Sequence, residues 1–326
     1  MEANRKQAED ALQAAQMYYY QNLPMKKIAT ELQVSLSTIS RLLTWARDNG
    51  LVEIRINDLH GRAGSLEERI KLHYNLQDVV VVPVAEAAGW EVWQDRVVRV
   101  AANYLNQIMT SDMMLGIAWG GTVSAIAPHL TPKQLVNAHV VQLTGGNALP
   151  TAGICSAIDL VTRFASNYEA MAHLLYVPTL FDFAETKTAV WREGSTQRIL
   201  KLQQQLDAVL FSVGTFHGSQ ASALYASNYL TPADYAVMQA EQIVGSIANI
   251  MIRTDGSYAD IQLNQRACGP DLALLRHVNH AICVVSGYHK LAALQAALAG
   301  RYITDLILDE PTAYRLLGTI SSEEMA

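Results

Sequence analysis

The apolar residues between positions 25 and 43 recur at the spacing of two short helices joined by a tight turn. They are Ile28, Ala29 and Leu32 in the first predicted helix, Val34, which is expected to plug the turn, and Ile39, Leu42 and Leu43 in the second helix. Ser35 and Ser37 are both suitable N-cap residues, so the second helix is expected to begin near Leu36 or Thr38. A supporting helix is predicted before this pair, over residues 7–21.

The polar face of the second helix is typical of a helix-turn-helix that reads duplex DNA. In such units the early residues of the second helix reach base edges, whereas Ser, Thr, Lys and Arg side chains hold phosphates. Arg41 and Thr38 are therefore predicted to recognise bases, and Lys26 and Lys27 to contact the DNA backbone. The complete set of predicted DNA-binding residues is Lys26, Lys27, Ser37, Thr38, Ser40, Arg41 and Thr44.

A helical hairpin with no role in DNA binding is the alternative for this segment. Gln33 occupies the turn position where glycine is common, and residues 1–60 carry seven Lys or Arg against seven Asp or Glu. The segment therefore lacks the basic surface of a strong nucleic-acid binder. Because affinity rises with the number of phosphates contacted, useful binding is expected to need two or more such segments on one DNA.

A domain boundary is predicted between residues 57 and 58. Residues 52–56 alternate apolar and charged side chains, which predicts a short strand that would form a small β wing on an all-α domain of residues 1–57. Two glycines and polar neighbours in residues 58–65 predict a linker into a larger domain, residues 58–326. Ser65 and Glu68 predict a capping box that begins a helix running to about Asn75.

From residue 78 onward, short apolar runs alternate with longer amphipathic stretches. The runs are DVVVVPV, MLGIAWG, HVVQLTG, HLLYVPT, AVLFSVG, AICVVSG and ITDLILD. Such runs are typical of strands buried on both faces, and the stretches between them predict an α/β domain with a mostly parallel sheet flanked by helices. Ligands of such sheets bind beyond the carboxyl ends of the strands.

Five of these strand ends carry residues suited to binding an anion or a sugar. Gly120 and Gly121 would let backbone amides approach a phosphate, and Thr122 and Ser124 add hydroxyls at the start of a helix. Lys290 is predicted in a first helical turn, where the helix dipole disfavours a cation unless an anion lies nearby. The other candidates are Gly145, Gly146 and Asn147 in LTGGN, Gly214 and Thr215 in SVGT, Gly287 in SGYHK, and Asp309 and Glu310 after the last run.

Each candidate also has a purely structural alternative. Glycines turn chains for steric reasons alone, and Lys290 is alternatively a solvated surface lysine. Asp309 and Glu310 could cap a final helix at Pro311, which is favoured over accepting sugar hydroxyls. A paired-carboxylate hydrolase is not supported, because nothing fixes the spacing of two carboxylates.

Composition narrows the class of protein. Half of the 326 residues are hydrophobic, 17% are charged and the net charge is -6, which predicts a large core and a surface that mostly does not face nucleic acid. No signal peptide or membrane-length apolar run is evident, so a soluble cytoplasmic protein with no membrane partner is expected. Cys155, Cys268 and Cys283 are interpreted as core thiols rather than disulfide or metal ligands, and no cofactor is predicted.

Several stretches resemble the SorC family of bacterial sugar-responsive transcriptional regulators. They are the predicted helix pair, the WGGT loop, EQIVGSIANIMIRTDGSYAD and SGYHKLAALQAALAGRYITDLILDEPTAYRLL, and the resemblance covers nearly the whole chain. It implies an N-terminal helix-turn-helix and an effector domain similar in fold to sugar-phosphate isomerases and deaminases. It also implies operator double-stranded DNA and a phosphorylated sugar or polyol as partners, and a dimer or tetramer.

The resemblance also assigns effector-binding positions. The family's phosphate loop falls on residues Trp119 to Val123, its glycine turn on Gly145 and Gly146, its VGDI stretch on residues 244–247, and its late glycine and lysine on Gly287 and Lys290. Two departures stand out: many members have arginine where this chain has Gly121, and the usual acidic residue of VGDI is Ser246 here. Less electrostatic binding, or a less charged sugar derivative, is therefore expected. Asp255 and Gly256 in RTDGS are interpreted as a hairpin turn.

A sugar-phosphate isomerase-like enzyme is the rival interpretation of the larger domain. Such enzymes need a general base within reach of the acidic proton of the sugar. The predicted loops offer mainly Gly, Thr, Ser and Asn, with Asp309 and Glu310 at one rim and His217 and His289 without an evident acid partner. An enzyme is therefore not predicted. A third interpretation is a ligand-responsive module that binds a protein partner rather than DNA.

Overall fold

The structure is a computed structural model that describes residues 2–21, 23–48, 50–52, 62–146, 155–216 and 229–323. Its internal contacts divide the chain into two compact units, Met1–Leu59 and His60–Ala326. The predicted boundary at residues 57 and 58 lies outside the described residues, as does almost all of the predicted wing strand.

The first unit is helical over its described length. It contains α1 (Glu2–Ala15), a π-helical turn (Gln16–Tyr20), α2 (Met25–Glu31) and α3 (Leu36–Asp48). Ile28 and Ile39 are fully buried between these helices, as the apolar spacing predicted. The prediction for Val34 was wrong, because its side chain remains 38% exposed. Gln33 makes the turn instead by adopting a left-handed backbone with φ of +54°, the conformation for which glycine is usually chosen.

The second unit is built around a seven-stranded parallel sheet. Its strands, in spatial order, are β1 (Asp78–Val82), β10 (Asp305–Asp309), β9 (His280–Val285), β5 (Ala208–Phe211), β2 (Met114–Ile117), β3 (His139–Gln142) and β4 (Met171–His173). A small antiparallel sheet consists of β6 (Val213–Gly214), β7 (Ile243–Ile247) and β8 (Ile250–Arg253). The predicted α/β class and the mostly parallel sheet are thereby confirmed.

Helices cover both faces of the large sheet. The α-helices described in the second unit are α4 (Arg62–Tyr74), α5 (Trp90–Ile108), α6 (Gly121–Ile126), α7 (Ala157–Tyr168), α8 (Ala184–Arg192), α9 (Gly194–Gln203), α10 (Pro232–Ala240), α11 (Leu291–Ala299) and α12 (Glu310–Glu323). Val140 packs on one face with Val97 of α5, whereas Val141 belongs to the cluster on the opposite face that includes Leu294 of α11. Strands buried on both faces explain why their sequences are continuously apolar.

The strand order determines where a ligand is expected. From β2 the chain proceeds through β3 to β4 at one edge, and then returns to β5 on the other side of β2. The strand order thus reverses between β2 and β5, and a ligand crevice is expected where the connections leave the carboxyl ends of these strands in opposite directions. The segments that follow β2, β5 and β9 border this crevice.

Three local predictions differ from the structure. Helix α4 already begins at Arg62, so Ser65 lies within the helix and is not its N-cap. The strand predicted at residues 173–179 instead covers Met171–His173, and beyond it the Gln142 side chain bonds both backbone groups of Leu175. The hairpin between β7 and β8 closes at residues 248–249, whereas Gly256 lies in a separate turn after β8.

No helix within the described ranges combines the length and the apolar composition that a bilayer span requires.

Candidate functional site

The ammonium group of Lys290 lies where the segments after three parallel strands meet. Lys290 follows β9, and its Nζ donates to the Thr122 hydroxyl, which follows β2, at 2.8 Å, and to the Ser212 hydroxyl, which follows β5, at 3.1 Å. Both Lys290 and Thr122 are buried, at 8% and 6% exposure. The structure therefore brings together two predicted site residues that are distant in the sequence, and Ser212 joins them.

Burial controls the electrostatics of Lys290. Removal from water lowers the pKa of Lys290 to about 8, because a low-dielectric environment disfavours the charged form. Its two partners are neutral hydroxyls, and no ion pair to Lys290 occurs in the part of the chain that the structure describes. The alternative of a solvated surface lysine was wrong. A buried cation held only by hydroxyls is suited to binding an anion.

The loop after β2 has the geometry expected of an anion-binding turn. Gly120 is extended, with φ of 165°, and a Cβ atom placed there would meet open space. Helix α6 begins at Gly121, and the first amides of a helix have no acceptor within that helix. The side chain of Val123 packs in the core, so only its amide is suited to a ligand. The Ser124 hydroxyl lies 3.5 Å from Sγ of Cys155, which is only half-buried and is therefore not a core thiol.

The glycines of LTGGN have a packing role. The amide of Gly145 donates to the carbonyl of Cys268 at 2.8 Å, and the amide of Gly146 donates to that of Val177 at 3.2 Å. A Cβ atom at Gly145 would overlap the carbonyl oxygen of Pro178. Because both amides are already bonded, the prediction that these two glycines present amides to an anion does not agree with the structure. Asn147 lies outside the described residues.

Gly214, Thr215 and Ser246 lie at the small antiparallel sheet. Gly214 in β6 is two residues beyond Ser212 and pairs with Ser246 in β7. Thr215 and Ser246 are both buried. This sheet therefore follows directly after the Ser212 position in the chain.

Asp309 holds the loop between β9 and Lys290. Its Oδ2 accepts from the amide of Gly287 and its Oδ1 accepts from the amide of Thr312, both at 2.8 Å. The carboxylate is fully buried and caps α12, which is the alternative that the sequence favoured. Its predicted use for sugar hydroxyls stays a prediction. Glu310 begins α12 and is half-buried.

Two residues of this region were not among the predicted effector-binding residues. Ser212 is one, and a single serine after a strand carries no sequence signal. His289 is the other: burial first, and the charge of Lys290 second, lower the pKa of His289 to about 4, so that the imidazole is neutral at pH 7. Its Nε2 atom is buried and has no hydrogen-bond partner among the described residues.

Helix α3 of the first unit presents most of the predicted DNA-binding side chains to solvent. Ser37, Ser40, Arg41 and Thr44 are exposed, as are Lys26 and Lys27 on α2. Thr38 differs, because it is half-buried and its Oγ1 lies 2.8 Å from Oγ of Ser35. The Ser35 hydroxyl also accepts from the amide of Thr38 at 3.1 Å, which makes Ser35 the N-cap. Thr38 therefore supports the cap, and its recognition of a base stays a prediction.

A family model described as "Putative sugar-binding domain" matches residues 61–318. The chain belongs to this family. The deoxyribonucleoside regulator of Bacillus subtilis (strain 168) is 30% identical over 319 residues, which are 97% of this chain and 100% of that protein. The domain of a possible sugar-binding transcriptional regulator from Arthrobacter aurescens TC1 is 41% identical, with a TM-score of 0.73 over 80% of this chain and 99% of that one. The full-length sorbitol operon regulator SorC from Klebsiella pneumoniae has a TM-score of 0.77 at 24% identity, over 94% and 97% of the two chains.

The predicted resemblance to SorC-type regulators is thereby confirmed. The family match includes the whole crevice, from the loop after β2 to Asp309, and begins after the first unit. Two of the proteins above are named as regulators, and the third is the domain of a possible sugar-binding transcriptional regulator.

Proposed function

We propose that this protein is a DNA-binding transcriptional regulator whose operator affinity is controlled by a phosphorylated sugar or polyol. The first unit, with predicted bounds 1–57, would bind operator DNA, and the second, residues 58–326, would bind the effector and form the dimer or tetramer. The observation that carries the effector site is the buried ammonium of Lys290, which has hydroxyl partners but no carboxylate partner in the described segments.

The effector anion would bind between Lys290 and the first turn of α6. Lys290 supplies the charge, and the first amides of α6 and the hydroxyls of Thr122 and Ser212 supply polar contacts. Position 121 is a glycine and therefore supplies no second cation. Neither lysine nor arginine occurs in residues 147–154 or 217–228, which follow β3 and β6 in the sequence. Backbone amides would therefore carry much of the anion recognition. The Nε2 atom of neutral His289, which has no partner in the described segments, is suited to a sugar hydroxyl.

This role is binding rather than catalysis. The Asp309 carboxylate is fully buried, caps α12 and accepts from the amide of Gly287, which is a structural role. The named relatives are regulators rather than enzymes.

Operator binding would use the exposed face of α3. Arg41 would recognise a base edge, and Lys26 and Lys27 would contact phosphates, since all three side chains are exposed. Because each unit offers few cations, two or more copies of the chain would bind one operator. Such a protein acts in the cytoplasm, where its DNA lies.

A thermal-shift screen of sugar phosphates tests the effector site, because a ligand of the native state raises its apparent stability. The wild-type chain should be stabilised by one or more phosphorylated sugars but not by the corresponding free sugars. Lys290→Met should lose this shift, while Lys201→Met, at an exposed position on α9, should retain it. An equal shift in Lys290→Met would place the pocket elsewhere.

Fluorescence anisotropy with DNA from the chain's own promoter, at low and raised salt, tests the DNA-binding role. Sequence-preferring affinity that falls with salt is expected, and Arg41→Ala should lose the preference without changing the thermal shift. Binding that is independent of sequence and salt would overturn the regulator. Loss of both activities in Arg41→Ala would mean that Arg41 is structural.

A further inference from the structure

Leu36 is an apolar side chain exposed on the otherwise polar tip of α3. It is the first residue of this helix and is 51% exposed. The next two apolar side chains on the core face of α3, Ile39 and Leu43, are buried at 0% and 4% exposure. Leu36 therefore contributes less to the core of the first unit than its residue type allows.

The N-cap of α3 fixes the backbone at this position. The Ser35 hydroxyl accepts from the amide of Thr38 at 3.1 Å, and it lies 2.7 Å from the Ser37 hydroxyl and 2.8 Å from the Thr38 hydroxyl. These contacts hold the first turn on both sides of Leu36. A side chain on a restrained backbone can contact a partner without a large loss of conformational entropy.

The neighbours of Leu36 are suited to the polar edges of bases. Ser37, Ser40 and Arg41 are exposed, and their hydroxyl and guanidinium groups can donate to base acceptors. The C5-methyl group of thymine is the apolar feature that distinguishes a base in the major groove, and an aliphatic side chain contacts it favourably. The N-terminal residues of the second helix in a helix pair approach the base edges most closely.

We propose that Leu36 contacts the C5-methyl group of a thymine in the operator and so contributes an apolar element of sequence recognition. This proposal rests on the proposed DNA-binding function. It assigns a specificity role to a residue that carries no charge and no hydrogen-bonding group.

The test uses the full-length chain and an operator enriched from random-sequence duplexes. Each thymine of the enriched sequence is replaced in turn by deoxyuridine, which removes only the C5-methyl group, and affinity is measured by fluorescence anisotropy at constant salt. Burial of one methyl group corresponds to a change of about fourfold in affinity. Wild-type affinity should therefore fall about fourfold at one thymine in each half-site.

Three variants complete the test. Leu36→Ala should bind the thymine and deoxyuridine operators equally, whereas Leu36→Met, which keeps an apolar side chain of similar length, should retain the discrimination. Leu12→Ala is the matched control, because Leu12 is also an exposed leucine of the first unit, at 41%, and lies on α1. This control should discriminate like the wild type.

Two results would overturn the role of Leu36 while leaving the DNA-binding function intact. One is sequence-preferring, salt-dependent binding with no sensitivity to deoxyuridine at any position. The other is a sensitivity to deoxyuridine that persists in Leu36→Ala. If this variant also has a smaller oligomeric mass by light scattering, Leu36 lies in a contact between copies of the chain instead. Absence of any sequence preference in the wild type would overturn both proposals.

Discussion

The buried ammonium of Lys290 predicts an unusual dependence of stability on alkaline pH. The pKa of Lys290 is about 8 in the folded chain against 10.5 for an ordinary lysine, because burial disfavours its charged form. Between these two values the unfolded chain binds more protons than the folded chain, so the free energy of unfolding rises with pH. The free energy of unfolding changes by about 1.4 kcal/mol per pH unit, so it rises by about 3 kcal/mol between the folded pKa of about 8 and the ordinary value of 10.5.

The prediction is measured as a difference between the wild type and Lys290→Met. Urea denaturation of both proteins from pH 7 to pH 9.5 should show the free energy of unfolding of the wild type rising by about 2 kcal/mol relative to the variant. This range includes most of the interval between the folded and unfolded pKa values of Lys290. The loss of the hydroxyl contacts of Lys290 in the variant is present at every pH and does not affect this slope. Lys201→Met, at an exposed lysine on α9, should run parallel to the wild type.

A bound anion should reverse the effect of burial on the pKa of Lys290. An anion beside Lys290 favours the protonated form and raises its pKa, so binding above pH 8 takes up a proton and the affinity falls up to tenfold per pH unit. Lys290→Met should show no such dependence. A wild type whose stability runs parallel to that of Lys290→Met across pH 7 to 9.5 would refute the burial of this charge and the reasoning built on it.

The other predictions concern packing and capping. Gly145→Ala should lower the free energy of unfolding by about 3 kcal/mol, because its Cβ atom would overlap the carbonyl of Pro178, whereas Gly120→Ala should stay within about 0.5 kcal/mol. Similar thermal unfolding of the two variants would refute this difference. Ser35→Ala should destabilise the first unit by about 1 kcal/mol through loss of the N-cap, measured by circular dichroism in urea, while Ser40→Ala at an exposed helix position should be neutral or slightly stabilising. A neutral Ser35→Ala would mean that its hydroxyl is not the cap.

Much of the fold follows from local apolar spacing. Strands β1, β2, β3, β5, β9 and β10 coincide with their predicted runs to within a few residues. The hairpin of β7 and β8 was missed because its turn lacks glycine. Ala248 and Asn249 adopt left-handed φ angles of +47° and +68° there, and Asn249 is held by a side-chain bond to the carbonyl of Gly145 at 3.1 Å. A contact between positions 104 residues apart leaves no local signal.

The site was predictable in position but not in chemistry. Strand ends in a parallel sheet meet at one edge, so Thr122 and Lys290 were both expected in one crevice. Their direct contact joins positions 168 residues apart, and the contact to Ser212 spans 78 residues. Neither the burial of Lys290 nor its lowered pKa follows from the polar stretch GYHK, because the desolvating atoms belong to other strands.

The paired glycines after β2 and β3 show most directly why local sequence cannot distinguish binding from packing. Both pairs follow a buried strand, yet a Cβ atom at Gly120 would meet open space while one at Gly145 would meet a backbone carbonyl. The extended backbone at Gly120 is accessible to any residue, so neither strain nor crowding requires glycine at this position. A close approach by a ligand does provide a reason. Gly120→Ala should therefore weaken effector binding while preserving stability. Gly145→Ala should lower stability, but its folded molecules should bind the effector as the wild type does.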